Sequence, residues 1–315
     1  MGWPQAFEQN PRGASGLARG NAGGTMINGL SIDVEEWFQV GAFEAVIRRQ
    51  DWDSLDQRVV ASTTRALDLF AAAGVSGTFF TLGWVAARHP GLIRRIVAEG
   101  HELASHGWDH ARVFTLDAAG FAADLARARA TLEDAGGVAV TGYRAPSFSI
   151  DTRTPWAHQV LAEAGYAYSS SVAPLAHDHY GWADAPRFAF HPLDDSALIE
   201  LPVSTVRFGG RRMAAGGGGF FRVLPYSFSH WAIHQINTVE QRPALTYFHP
   251  WELDPDQPRV DGAPLRSRLR HYTNLSGMEA KLGRLLRDFA WGRMDALAVA
   301  ERARLAAGGQ GSIAA

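Results

Sequence analysis

"GTFFTLGWVAARHPGLIRRIVAEGHELASHGWDH", residues 77–110, holds the pattern that decides the fold. It begins with a short β-rich run, "GTFFTLGW" (77–84). Pro90 then opens "PGLIRRIVAEG" (90–100), and a Pro start with a Gly stop predicts a helix. "HELASH" reads as a second strand that ends at histidine. Strand, helix, strand is the repeating unit of a parallel α/β structure. His106 and His110 follow the second strand, four residues apart. Residues at that spacing on a helical turn lie close enough to grip one ion, and neutral imidazole is a preferred zinc ligand. Gly107 weakens any long helix there, and no H-E-x-x-H is present, so a strand-to-loop placement is expected. Read alone, such a pair is as readily two surface or capping histidines.

Working outward, the alternation continues in both directions. "INGLSIDVEEWF" (27–38) reads as the first strand, with Asp33, Glu35 and Glu36 at its C-terminal end. Residues 54–73 show helical spacing through Leu55, Val59, Leu67 and Phe70, stopped by Gly74. A helix over 117–135 is opened by Thr115 or Asp117, and "VAVTGYRAP" (138–146) is a strand. Helix 154–164, a strand near 166–172, a loop-rich stretch 174–197 and strand "ALIELPV" (197–203) follow. Helix 226–239 leads to strand "ALTYFHP" (244–250), and a further helix covers 275–290. The alanine-rich end, 295–315, reads as a helix fading into a tail. "GGGG" (216–219) reads as a tight loop near the site. The pattern predicts a parallel sheet or barrel, in which functional residues sit at strand C-terminal ends. Asp33, Glu35, His106, His110, Arg144 and His249 all fall there. The expected organisation is a leader (1–25), one catalytic domain (26–295) and a C-terminal tail (296–315).

Composition narrows the chemistry. The chain has 315 residues, 46% of them hydrophobic, enough for one large domain or two smaller ones. Thirty Lys and Arg nearly balance 32 Asp and Glu, which argues against a nucleic-acid partner held by a basic stripe. Without cysteine, disulfides, thiolate nucleophiles and Cys-type zinc sites are excluded, so any metal sits on histidine and carboxylate. No apolar run reaches the roughly 20 residues that span a bilayer. The first 25 residues lack the apolar stretch of a secretory signal, and Met26 reads as an alternative start. A cytoplasmic setting is expected.

"SIDVEEW" crowds three carboxylates into four residues, which is costly unless something positive lies nearby. A divalent ion answers that cost; an exposed acidic turn is the plainer alternative. Asp33 and Glu35 point to one face of an extended segment and Glu36 to the other.

"SIDVEEW", the 77–110 segment, "YRAPSF" and "YFHPWELD" together resemble, in order, the signature segments of polysaccharide deacetylases, the NodB-homology carbohydrate esterases. The resemblance runs from about residue 28 to 290. "YSSSVAP", "HDHYGWADAPRF", "GGGGFFRVLPY" and "FHPWELDPDQPR" resemble the subgroup found with bacterial exopolysaccharide-synthesis clusters and the exosortase system. The resemblance implies a distorted (β/α) barrel in a single domain and a metal-dependent N-deacetylase. It implies Asp33 as catalytic base, His106 and His110 as metal ligands, and Arg144 as the residue that orients the base. It implies His249 as general acid and Ser147, after Pro146, as a backbone N–H donor to the oxyanion. The family's usual pair of adjacent aspartates is broken by Val34. Glu35 is then the third ligand, with Glu36 as the fallback. The family's aspartate-and-tryptophan segment is not recognisable, and Ser169 stands where an aspartate is expected. The partner of His249 is therefore left open.

The residues support the same chemistry directly. A bound Zn²⁺ polarises an amide carbonyl and lowers the pKa of water to about 7. Asp33 outside the ligand set can take a proton, and Arg144 can hold it ionised as a bidentate guanidinium does. A histidine titrating near neutrality suits protonation of the departing amine. Taken singly, Arg144 reads as a structural salt bridge and His249 as a satisfied core histidine; five such residues in family order at strand ends reverse that reading. Aromatic side chains cluster near these segments: Trp37, Phe38, Trp108, Phe148, Tyr180, Trp182 and Trp251. Most read as core; Trp37 and Trp251 are the candidates for lining a sugar pocket. His177 and His179 read as part of a substrate loop, or as a second metal pair. The expected activity is removal of acetyl groups from N-acetylated amino sugars of a bacterial polysaccharide or its precursor, with Zn²⁺ as the expected divalent metal. The alternatives are a metal-dependent hydrolase of small cyclic amides and a non-catalytic carbohydrate-binding relative.

Overall fold

Strand β1 (Ile27–Val34) is buried at every position after Ile27, as a strand covered on both faces requires. The computed structural model describes residues 26–176 and 181–308. In it β1 is the sheet's centre. On one flank it pairs in parallel with β2 (Thr78–Thr81), from Ser31↔Thr78 to Val34↔Thr81. Beyond lie β3 (Glu102–Ser105), β4 (Gly142–Tyr143), β5 (Tyr168–Ser169) and β6 (Ile199–Glu200), all parallel. On the other flank β1 pairs with β9 (Leu245–Phe248), from Gly29↔Leu245 to Ile32↔Phe248. Its first residues pair with β10 (Ala290–Gly292). The far edges meet where Ser204 N–H donates to the Leu245 carbonyl (3.2 Å) and Leu245 N–H to Ser204 Oγ (2.7 Å). The expected distorted (β/α) barrel is therefore present.

The helices lie between strands as the alternation predicts, with shifted ends. α1 (Val59–Ala73) begins five residues later than expected, after a 3₁₀ turn at Arg49–Ser54. The cause is Glu36, whose carboxylate accepts the N–H groups of Arg58 (2.8 Å) and Val59 (2.9 Å). A carboxylate on these orphan donors fixes where the helix starts. Gly74, at φ 65°, ends it in the left-handed conformation. The 77–110 unit holds two helices, α2 (Gly83–Arg88) and α3 (Pro90–Ala98). α4 (Ala118–Gly136) is capped by Asp117, not Thr115, through Gly120 N–H (2.7 Å). α5 is Ala157–Glu163.

Strands β4, β5 and β6 are two residues each, far shorter than expected. Side chains continue the ladder beyond them. Ser171 Oγ accepts Ala145 N–H (2.9 Å), and buried Glu200 accepts Ser171 N–H (2.7 Å) and Val172 N–H (2.9 Å). Elements absent from the sequence reading follow β6. β7 (Thr205–Phe208) and β8 (Arg211–Ala214) form a hairpin turned at Gly209–Gly210, both at positive φ. α6 (Gly218–Val223) comes next, then the expected α7 (Tyr226–Thr238). α8 (Leu265–Tyr272) precedes α9 (Met278–Asp288), and α10 is Met294–Ala307. Residues 296–307, set apart above as tail, thus belong to α10. Leu297 and Ala298 pack with Phe80, Tyr168 and Leu245 in a second apolar cluster. The 1–25 leader, His177, His179 and Tyr180 lie outside the described residues.

Phe70 of α1 is fully buried, its ring edge-on to Phe79 (5.8 Å) and His101 (5.7 Å). Phe70→Ala is expected to cost about 3–5 kcal/mol through lost transfer energy and a cavity. A fall in the urea midpoint with unchanged slope checks this.

Candidate active site

The first strand ends in "DVEE", and its pleat sends the acids to different jobs. Asp33 and Glu35 turn into the mouth of the barrel, while Glu36 turns away to cap α1. That removes Glu36 as a ligand candidate.

Glu35, His106 and His110 converge. Each offers one ligand atom, and these atoms lie within 4.8 Å of one another. His110 Nε2 is 2.9 Å from Glu35 Oε2. His106 follows β3 directly, and its Nδ1 lies 2.8 Å from the Arg144 carbonyl, so that nitrogen donates and Nε2 keeps its lone pair. The 106–110 loop is not helical: Gly107 has φ 76° and His110 φ 61°. Asp124 of α4 holds it by accepting Trp108 N–H with both oxygens (3.2 Å each).

Electrostatics ready the cluster for a cation. Burial pushes the His106 imidazole down to about 4, so it is neutral at pH 7. Burial would raise Glu35, but the charge and hydrogen bond of His110, with the charge of His249, outweigh it and hold the carboxyl at about 2. Trp251 Nε1–H donates to Glu35 Oε1 (3.1 Å). Oε2 is buried, with His110 Nε2 2.9 Å away as its close polar neighbour. A buried, ionised carboxylate facing two imidazoles fits a divalent cation.

Beside this cluster stands Asp33. Arg144 Nη1 donates to Asp33 Oδ1 (2.6 Å) and to Ser31 Oγ (2.7 Å). Its Nη2 reaches Ser170 Oγ (2.9 Å) and its Nε the Ser170 carbonyl (3.1 Å). The expected bidentate grip is thus a single-nitrogen one, because the other guanidinium donors anchor Arg144 to the 169–171 serine run. The guanidinium also lies 4.1 Å from the Phe80 ring centre, so its position is fixed by packing as well.

His249 closes the far side at the end of β9. Its Nε2 is 3.7 Å from Glu35 Oε1, and its Nδ1 is 2.8 Å from Glu252 Oε1. Glu252 in turn accepts from Arg222 Nε (2.6 Å), and both side chains are fully buried. The partner left open by the sequence is therefore Glu252, backed by Arg222 of α6. The i, i+3 spacing in "HPWE" was the available signal, since Glu252 also accepts His249 N–H (3.0 Å). Burial would lower the His249 pKa, but the Glu252 bond and the Glu35 charge outweigh it and raise it to about 9.

The remaining candidates divide. Ser147, at φ 55° in a 3₁₀ turn after buried Pro146, lines a shallow cleft together with His110, Phe38, Gln39 and Trp52. The first donors of such a turn have no partner within it. Trp37 does not face this cleft: its ring packs in the core, and its Nε1–H bonds the Asp56 carbonyl (2.8 Å). Trp251 is stacked between His249 (4.9 Å) and His271 (4.2 Å) while its Nε1–H holds Glu35, so it props His249 and Glu35.

Fold and site together define a (β/α) barrel with a His₂–carboxylate pocket at its mouth. Residues 52–169 match the polysaccharide deacetylase family, so this part of the chain carries a polysaccharide deacetylase domain. Residues 170–299 match a domain of unknown function (DUF3473). His106, His110 and Arg144 lie in the first match, whereas His249, Glu252 and Arg222 lie in the second. The chain is 32% identical over 130 residues to a chitin deacetylase of Pestalotiopsis sp, covering 40% of this chain and 43% of that one. It is 32% identical over 147 residues to a chitooligosaccharide deacetylase of Bradyrhizobium sp., covering 47% and 61%. The match thus spans less than two thirds of either relative. A crystal structure of a candidate polysaccharide deacetylase from Mycobacterium smegmatis shares the fold, with TM-score 0.58 at 21% identity over 92% of this chain and 95% of that one. The Puue allantoinase shares it equally, with TM-score 0.59 at 16% identity over 94% and 99%.

Proposed function

We propose that the chain is a metal-dependent N-deacetylase that hydrolyses the acetamide of N-acetylated amino sugars in a bacterial polysaccharide or its precursor. The carrying observation is the convergence of buried Glu35 with His106 and His110, with Asp33 and His249 beside them. Glu35, His106 and His110 would hold the divalent cation, Zn²⁺ being the favoured identity for a His₂–carboxylate set. When bound, such an ion polarises a carbonyl and acidifies water.

The protein's own residues supply the rest. Asp33, aimed by Arg144, accepts a proton from the attacking water. The new carbon–oxygen bond forms at the acetyl carbon, and the Ser147 N–H donates to the carbonyl oxygen as it gains charge. His249 then gives its Nε2 proton to the sugar nitrogen as the carbon–nitrogen bond breaks. The products are acetate and a free amine. Glu252 keeps Nδ1 occupied, so the proton that leaves is the one facing the site.

Acetate release from N-acetylglucosamine oligomers, beside a cyclic ureide as second substrate, tests the reading. Turnover of the ureide alone would overturn the saccharide assignment, and sugar affinity without turnover of either would assign a binding protein. Chelation is expected to abolish acetate release and to lower the thermal midpoint. A ligand at a hundred times its Kd stabilises by about 2.7 kcal/mol, so Zn²⁺ addition should restore both. An unchanged midpoint on chelation would remove the cation from the site.

A further inference from the structure

Two acid-poor stretches meet on one rim of the barrel. Between Glu200 and Glu240 there is no Asp or Glu, and Asp261 is the one acid between Asp256 and Glu279. The first stretch builds the β7–β8 hairpin, α6 and α7; the second builds α8. α8 follows the C-terminal end of β9 and α6 is tied to it, so both stand at the face that carries the site, while the hairpin springs from Ser204, which pairs with Leu245 at the start of β9.

The surface these elements make is both apolar and basic. Leu265 and Leu269 stand four apart on α8, 70% and 59% exposed. Phe208, beside the hairpin turn, is 59% exposed, and Val223 of α6 is 56% exposed. The parts join. Phe208 lies 5.8 Å from Trp231, Trp231 lies 5.7 Å from Phe228, and Phe228 shares a hollow with Phe220 of α6. α6 joins α8 where Arg222 Nη2 donates to the Arg270 carbonyl (3.0 Å). Around the apolar groups stand exposed Arg207, Arg211, Arg266 and Arg270. The root of α6 reaches the site, because Gly217 pairs with Tyr247, whose ring is 5.5 Å from His249. In a chain of net charge −2, this is a marked local excess of positive charge.

We propose that this rim docks on an anionic membrane surface, Phe208, Leu265 and Leu269 entering the headgroup layer while the arginines meet lipid phosphates. Exposed leucines on a basic helix are the mark of an interfacial contact. Nucleic acid would use the arginines but leave the leucines and Phe208 in water. Docking would set the catalytic mouth against the lipid surface, where a membrane-tethered saccharide is presented.

The test is flotation of the full chain with vesicles of phosphatidylcholine, with and without phosphatidylglycerol, and needs no turnover. Binding is expected with anionic vesicles only, and to fall about tenfold or more between low and high salt, as screened charge requires. Leu265→Ser with Leu269→Ser, and separately Arg211→Gln with Arg270→Gln, should each abolish it. Both pairs are exposed, and acetate release from soluble oligomers should be unchanged. Absence of flotation in the unaltered protein, or equal flotation with neutral vesicles, overturns the proposal. A concentration-dependent dimer in sedimentation that the leucine pair dissolves would assign the rim to a second copy and overturn it as well.

Discussion

Asp33→Asn is expected to lower the rate of acetate release by about 10²–10⁴-fold, the span that a positioned proton acceptor contributes. The reason is geometric. Asn keeps the size of the side chain and an oxygen for Arg144 Nη1, which now reaches Asp33 Oδ1 at 2.6 Å. It cannot accept a proton at pH 7. Arg144 keeps its bonds to Ser31 and Ser170, so its burial stays supported. Glu35, His106 and His110 are untouched, and metal content by atomic emission should remain stoichiometric. A large rate loss with unchanged metal and a nearly unchanged urea midpoint is the expected triple result. Undiminished turnover would take Asp33 out of the proton-accepting role.

The second large effect falls on stability and pH dependence together. Arg222→Met is expected to destabilise the protein by about 3–5 kcal/mol, because it leaves a buried carboxylate without its cation. It also orphans the carbonyls of His271 and Thr273, each of which accepts from Arg222 Nη1 at 2.8 Å. Glu252→Gln should cost less stability and change the pH profile more. In the proposed mechanism His249 donates a proton, so activity is expected below its folded pKa and is lost as pH rises through it. That pKa stands at about 9, with Glu252 the nearest anionic partner. Removing the Glu252 charge lowers it, and the descending alkaline limb of kcat should move to lower pH. An unmoved limb in Glu252→Gln would assign the proton donor elsewhere. Arg222→Met combined with Glu252→Gln in one chain should recover part of the stability lost by Arg222→Met alone, since the lone buried charge is gone.

What the sequence made legible follows from how local each signal was. The strand ends carrying Asp33, Glu35, His106, Arg144 and His249 were readable because each sits inside a short segment of distinctive chemistry. The loop placement of His110 was readable from Gly107. The choice between Glu35 and Glu36 was posed by the pleat and is decided by α1, whose orphan N–H groups claim Glu36. Arg222 and Glu252 were not readable as a pair, because 30 residues and a change of element separate them. The lengths of β4, β5 and β6 were misjudged because serine side chains and Glu200 replace backbone partners there, and periodicity carries no trace of that. Trp37 was misplaced for a related reason. Position beside a catalytic segment does not decide whether a ring turns toward the mouth or the core, and here the Asp56 carbonyl draws it inward.

The partners on the two edges of β1 arrive at very different times during synthesis. β2 follows β1 closely, but Ala244 N–H, which bonds Asn28 Oδ1 at the start of β9, lies 216 residues downstream. Until the ribosome has delivered that segment, one long edge of β1 has no ladder partner, and the His249 wall of the pocket does not exist. A nascent chain can therefore bring Glu35, His106 and His110 together well before His249 joins them. Closure of so distant a pairing is intrinsically slow, which makes the unzipped early intermediate the species most exposed to misassembly.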